Sequence, residues 1–172
     1  MTFRRPESVL VLVCNDRGET LLLERRSPAG FWQSVTGGLR RGESLRMAAR
    51  RELFEETGFD HAVPLFDLRE QRRFPIVPPW RARYAPEVHS NLEHGFLACV
   101  RGRRIPRLRP AEHVRWRWLP AREAAQRVFS WTNREAIERH AEACRAGVTS
   151  SVGQAGWASW AQWPPRRRDR GG

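Results

Sequence analysis

The chain has 172 residues, of which 40% are hydrophobic, and a formal net charge of +12. That length and apolar share allow one globular domain with a packed core and no disulfide staples. No apolar run approaches membrane-spanning length, which excludes a spanning helix. The charge points to an anionic partner, yet all 31 basic residues are arginine. A bias that complete reads as composition, so a small anionic substrate is expected rather than a specific nucleic-acid surface.

In chain order, Val9 to Cys14 is a short apolar run that ends at Asn15-Asp16-Arg17-Gly18, and Thr20 to Leu23 follows. This predicts strand, turn, strand. The N-terminal run is too short for a signal peptide, so a reducing cytoplasm is the expected setting. "FWQSV" is a third strand candidate, broken by Gly37 and Gly38. Ser44 to Thr57 has no Pro or Gly and is rich in helix formers. Leu45, Ala48, Ala49 and Leu53 form its apolar stripe, and Gly58 sits at a C-cap position.

Leu65 to Arg73 predicts a strand, and the proline-rich Pro75 to Pro86 a loop. "GFLACV" and "VRWRWL" predict two more strands, and Pro120 to Arg127 a short helix. Thr132 with Glu135 offers a capping box for a last helix. That helix would bury Ala136, Ile137 and Ala141 and stop at Gly147. Residues 1–147 therefore form the expected domain, and 148–172 a flexible Trp- and Arg-rich tail. Cys14 and Cys99 lie inside apolar runs and read as buried thiols; Cys144 makes the cysteine count odd.

The mixture of strands and helices places the chain in the α/β class. Its chemistry concentrates in "RELFEETGF". On a helix, Glu52, Glu55 and Glu56 stand at i, i+3 and i+4 and share one face. Like charges at i, i+4 destabilise a bare helix by about 0.2–0.5 kcal/mol. A hard divalent cation turns that repulsion into a site; without one, the stretch is a solvated acidic face.

The wider spacing decides between these two. Gly37, five residues, Glu43, seven residues and then Arg51-Glu52-Leu53-Phe54-Glu55-Glu56-Thr57-Gly58-Phe59 fit the Nudix box at every constrained position. A chance match in a chain this long is on the order of one in ten million. The sequence thus resembles the Nudix hydrolases. The resemblance implies a Nudix-type α/β/α sandwich with a mixed central sheet and a loop–helix–loop catalytic motif. It also implies Mg²⁺-dependent, or Mn²⁺-dependent, pyrophosphate hydrolysis on a small-molecule triphosphate.

By the same resemblance, Glu52, Glu55 and Glu56 are metal ligands, joined by the backbone of Gly37. Arg51 orients the glutamates, and Glu43 ties loop to helix. Further segments, "FWQSVTGG", "SNLEHGF", "EHVRWRWL" and "FSWTNREAIE", are similar to the branch of the family that removes pyrophosphate from a pterin triphosphate in folate synthesis. Arg4, Arg25, Thr36, Phe74 and Ser130 match substrate contacts there. Glu112 matches a carboxylate outside the box that serves as a metal ligand or general base. Two other readings stay open: the same chemistry on nucleotides, dinucleoside polyphosphates or 5′-triphosphate RNA, and a basic RNA-binding module with an idle site.

Overall fold

The computed structural model describes residues 3–78 and 80–145. Seven strands form one mixed sheet: β1 (Glu7–Asn15), β2 (Glu19–Arg25), β3 (Trp32–Gln33), β4 (Val35–Gly38), β5 (Leu65–Pro75), β6 (Ser90–Val100) and β7 (His113–Pro120). β1 is central. It pairs in parallel with β6, from Glu7↔Leu92 to Asn15↔Val100, and antiparallel with β2 and β4. β5 extends the sheet beyond β6, while β3 and β7 pair with β2.

Helices cover both faces, which is why β1 is apolar at successive positions rather than alternating. Val9, Val11 and Val13 pack with Ala48, Ala49 and Leu53 of α1 (Leu45–Thr57). Leu10, Leu12 and Cys14 pack on the other face with Ala124 and Ala125 of α2 (Ala121–Arg127) and Ala136 and Ile137 of α3 (Trp131–His140). The expected α/β/α sandwich is the architecture found. Each fully buried Leu or Val side chain stabilises it by about 1.5–3 kcal/mol.

α1 forms as its sequence dictates. Ser44 caps it by accepting from the Met47 N–H, and Gly58 ends it in the left-handed region at φ 72°. Its apolar stripe faces the sheet, which leaves Glu52 and Glu56 at the rim of the same buried side.

Several expectations need correction. Gly37 and Gly38 do not break a strand; they are the last residues of β4. The sharp turn comes later, at Gly42 with φ 72°. Thr132 is not the cap of α3. Ser130 is, accepting from the N–H groups of Thr132 and Asn133, while Glu135 pairs with Arg72 and Arg139 instead of closing a capping box. α3 ends at His140 and a 3₁₀ turn, Ala141–Cys144, follows. The Pro75–Pro86 loop contains a 3₁₀ turn at Trp80–Arg83.

Cys99 is buried but is not a thiol: it is disulfide-bonded to Cys144, with a Cα–Cα distance of 5.7 Å. The turn after α3 lays Cys144 against the face of β6 that carries Cys99. Nothing in a separation of 45 residues announces that contact. Cys14 is the free, buried cysteine, and burial pushes its pKa up to about 12. The expected boundary at Gly147 and the tail tryptophans Trp157, Trp160 and Trp163 lie outside the described residues.

Candidate active site

α1 and β4 form the first half of the site. The Glu52 carboxylate lies directly over Gly37, where an added Cβ would stand 2.0 Å from its carboxylate carbon. Gly37 is therefore glycine because of close approach, not because of a turn. Arg51 clamps the loop to the helix. Its guanidinium bonds Glu43 at 2.7 and 2.8 Å, the Gly38 carbonyl at 3.0 Å, and Glu52 at short range. This bonding holds the Glu43 carboxyl below its ordinary pKa and raises that of Arg51.

The glutamates divide into two groups. Glu55 faces outward among three arginines: Arg40 at 3.0 Å, Arg109 at 3.3 Å and Arg51 at 3.7 Å. Glu52 and Glu56 are 8% and 2% exposed. Burial raises the Glu52 pKa despite the Arg51 contact. Glu56 is raised further, by burial first and then by the charges of Glu52 and Glu112; the Thr36 N–H and the charge of Arg25 oppose the shift. Glu56 Oε2 has no hydrogen-bond partner.

The second half comes from β2 and the start of β7. Glu112 and His113 approach Glu56 so that one ligand atom from each lies within 4.8 Å of the others. Glu112 is half-exposed and paired with Arg109 at 3.0 Å. His113 is buried, and burial followed by the Arg25 charge lowers its pKa to about 4. It is a neutral imidazole at neutral pH, with Nδ1 unpartnered. Two buried carboxylates, one half-exposed carboxylate and a neutral imidazole, with an orphaned carboxylate oxygen among them, fit a divalent cation.

The box thus brings Glu52 and Glu56 to one buried rim, while Glu55 points into the arginine cluster. His113 was missed. It lies in a strand that reads as buried framework, and no local pattern sets it apart.

The expected substrate contacts scatter more widely. Thr36 borders the site, and its hydroxyl donates to the Val9 carbonyl at 2.9 Å. Arg25 bonds the Ser27 carbonyl through Nε at 3.1 Å. Arg4 is exposed beside the Trp80–Arg83 turn, its N–H bonding the Arg83 carbonyl. Phe74 is half-buried on β5 opposite Asn91. Ser130 is occupied as the α3 cap, with Thr132 Oγ1 at 2.7 Å. Phe129 and Trp131 flank it with 67% and 53% exposure, and Phe129 stacks on Phe31 at 4.1 Å between ring centroids.

Comparison with known proteins gives a consistent result. The model of the NUDIX domain matches residues 4–140. Dihydroneopterin triphosphate diphosphatase of Escherichia coli K12 is 40% identical over 142 residues, covering 80% of this chain and 93% of that protein. The Haemophilus influenzae protein of the same name is 37% identical over 144 residues, covering 81% and 90%. The solved structure of the E. coli dihydroneopterin triphosphate pyrophosphohydrolase superposes with a TM-score of 0.76 at 37% identity, over 82% of this chain and 98% of that one.

Proposed function

The chain belongs to the NUDIX family, and from that premise we propose that it hydrolyses dihydroneopterin triphosphate to the monophosphate and pyrophosphate. The observation that carries this reading is the length of the likeness. Identity of 40% extends over 142 residues, 80% of this chain and 93% of that protein, far more than the Nudix box spans.

The residues take the following roles. Glu52, Glu56 and Glu112 would hold a divalent ion, Mg²⁺ or Mn²⁺, with the Gly37 backbone oxygen and His113 at hand and Glu55 as an outer partner. The ion supplies charge neutralisation and Lewis acidity toward the phosphoryl oxygens. Arg51 fixes the Glu52 rotamer, and the Thr36 N–H fixes Glu56. Glu112, the most exposed of the acids, accepts the proton of the attacking water as general base. Water adds to the α-phosphorus while the bond to the β-phosphate oxygen breaks, so the leaving group is pyrophosphate. Arg25 and Arg4 bind the triphosphate oxygens, as guanidinium forks do. Phe74, Phe129 and Trp131 supply aromatic faces for a flat head group. Residues 1–147 form the catalytic domain in this reading, in a cytoplasmic setting.

The test is a substrate panel with separate pyrophosphate and orthophosphate readouts. The expected result is a kcat/KM for dihydroneopterin triphosphate at least about tenfold above those for GTP and dATP, which is 1.4 kcal/mol of transition-state binding. Pyrophosphate should be the product. Preference for a nucleotide, or for 5′-triphosphate RNA, would overturn the substrate and leave the family chemistry standing.

A further inference from the structure

Away from the acidic cluster, β6 carries two buried acceptor oxygens without hydrogen-bond partners, Glu93 Oε1 and Asn91 Oδ1. Their residues are 7% and 2% exposed. Strand alternation puts both side chains on the same sheet face as Leu97 and Cys99, the face that α3 covers. The sheet register collects their neighbours. Ser8 lies beside Glu93 on β1, while Arg72 and Phe74 lie opposite Glu93 and Asn91 on β5. The Asn91 amide donates to the Ser8 hydroxyl at 2.7 Å.

Glu93 does not behave as a framework carboxylate. The Thr132 hydroxyl bonds it, and Ser130 backs Thr132 at 2.7 Å. The Arg72 guanidinium, whose charge acts on Glu93, is committed elsewhere: it bonds Glu135 at 3.0 Å and Glu70 at 2.6 Å. One Glu93 oxygen therefore stays unpaired in a low-dielectric setting, where it is costly unless something donates to it. Two unpaired acceptors on one strand face, with an aromatic ring beside them, call for a flat ligand with a donor-rich edge.

Thr36 connects this face to the chemistry. It lies opposite Leu10 on the α3 side of the sheet, and its N–H reaches Glu56. A head group on this face can thus be continuous with a triphosphate at the glutamates. Resting on the substrate orientation given above, we propose that Glu93, assisted by Asn91, is the specificity-determining residue that binds the donor edge of the head group. The ligand chemistry is a fused 2-amino-4-oxopyrimidine, whose ring N–H and exocyclic amine donate side by side to a carboxylate. Pterin and guanine share that edge; adenine lacks it.

The test compares wild type with Glu93→Gln, which keeps size and replaces one acceptor by a donor. The substrates are dihydroneopterin triphosphate, GTP and ATP, and binding of phosphate-free dihydroneopterin to the metal-free protein is measured by calorimetry. The expected result is a fall of at least about 30-fold in the pterin-to-ATP ratio of kcat/KM, carried mainly by KM. The GTP-to-ATP ratio should fall in parallel, and dihydroneopterin binding should weaken by a similar factor. Equal losses on all three substrates, or unchanged ratios, overturn the proposal. If Glu93→Gln does not fold, Asn91→Ala decides, with a fall of about fivefold in the same ratio expected and no change counting against. Wild-type preference for GTP over the pterin would sink the substrate reading alone, while indifference between GTP and ATP would sink this one.

Discussion

Two sets of buried carboxylates in this fold have opposite surroundings. Glu19 and Glu24 sit on β2 with every oxygen occupied. Glu19 accepts from Asn15 at 2.9 Å and from the Arg103 guanidinium, and Glu24 accepts from Arg115 at 3.0 Å and the Gly30 N–H at 3.1 Å. The arginine contacts lead in lowering both pKa values. Glu52, Glu56 and Glu93 are as deeply placed, and burial raises all three. In a chain with 31 arginines, a shortage of cations does not explain the difference. The first set is neutralised by the protein itself and locks strands together. The second set is held without full neutralisation, the arrangement expected where a ligand supplies the missing charge or donor.

The comparison can be broken most sharply at Glu56. Glu56→Gln keeps the shape and removes the charge. The expected loss is about 100-fold or more in kcat/KM at saturating Mg²⁺, with the thermal midpoint of the metal-free protein unchanged or raised. Near-normal turnover would show that Glu56 belongs with the structural set.

Gly37→Ala probes the same site without touching a charge. The added methyl falls on the Glu52 carboxylate, so Glu52 must turn away. A loss of roughly tenfold or more in kcat, with an unchanged circular dichroism spectrum, is expected. Full activity would mean that Glu52 is free to move and still serve.

Glu19→Ala should show the opposite profile. Asn15 and Arg103 lose their partner, at a cost of about 1–2 kcal/mol in urea unfolding, while kcat/KM stays within about twofold. A loss of activity larger than the loss of stability would end the division between the two sets.

The subtlest expected signal is the pH dependence of stability. Glu19 and Glu24 have lowered folded pKa values. Their contribution is present above the unfolded value of 4.5 and is lost as pH falls through the folded ones. Glu93 has a raised folded pKa, so its contribution is full below 4.5 and is lost as pH rises through the folded value. In chemical unfolding across pH, Glu19→Gln should flatten the acid limb and Glu93→Gln the upper one. A flattened acid limb in Glu93→Gln would reverse the sign assigned to it.

By itself, the sequence determined what is local. The helix expected over Ser44 to Thr57, its C-cap at Gly58, and the placement of Glu52 and Glu56 on one face follow from spacing along a single element, with Ser44 serving as the N-cap rather than the first helical residue. The strands of β1, β2 and β7 were legible for the same reason. Contacts between elements were not. That Glu55 turns to Arg40 and Arg109, that His113 joins Glu56, and that Cys144 meets Cys99 depend on segments 15 to 57 residues apart in the chain. Ser130 rather than Thr132 caps α3, and Thr132, inside the helix, turns its side chain to Glu93 on the sheet face that α3 covers. Whether a buried carboxylate is neutralised or left open is set by which elements pack beside it. Only the tertiary structure decided that, because side-chain spacing along one strand or helix does not specify its neighbours.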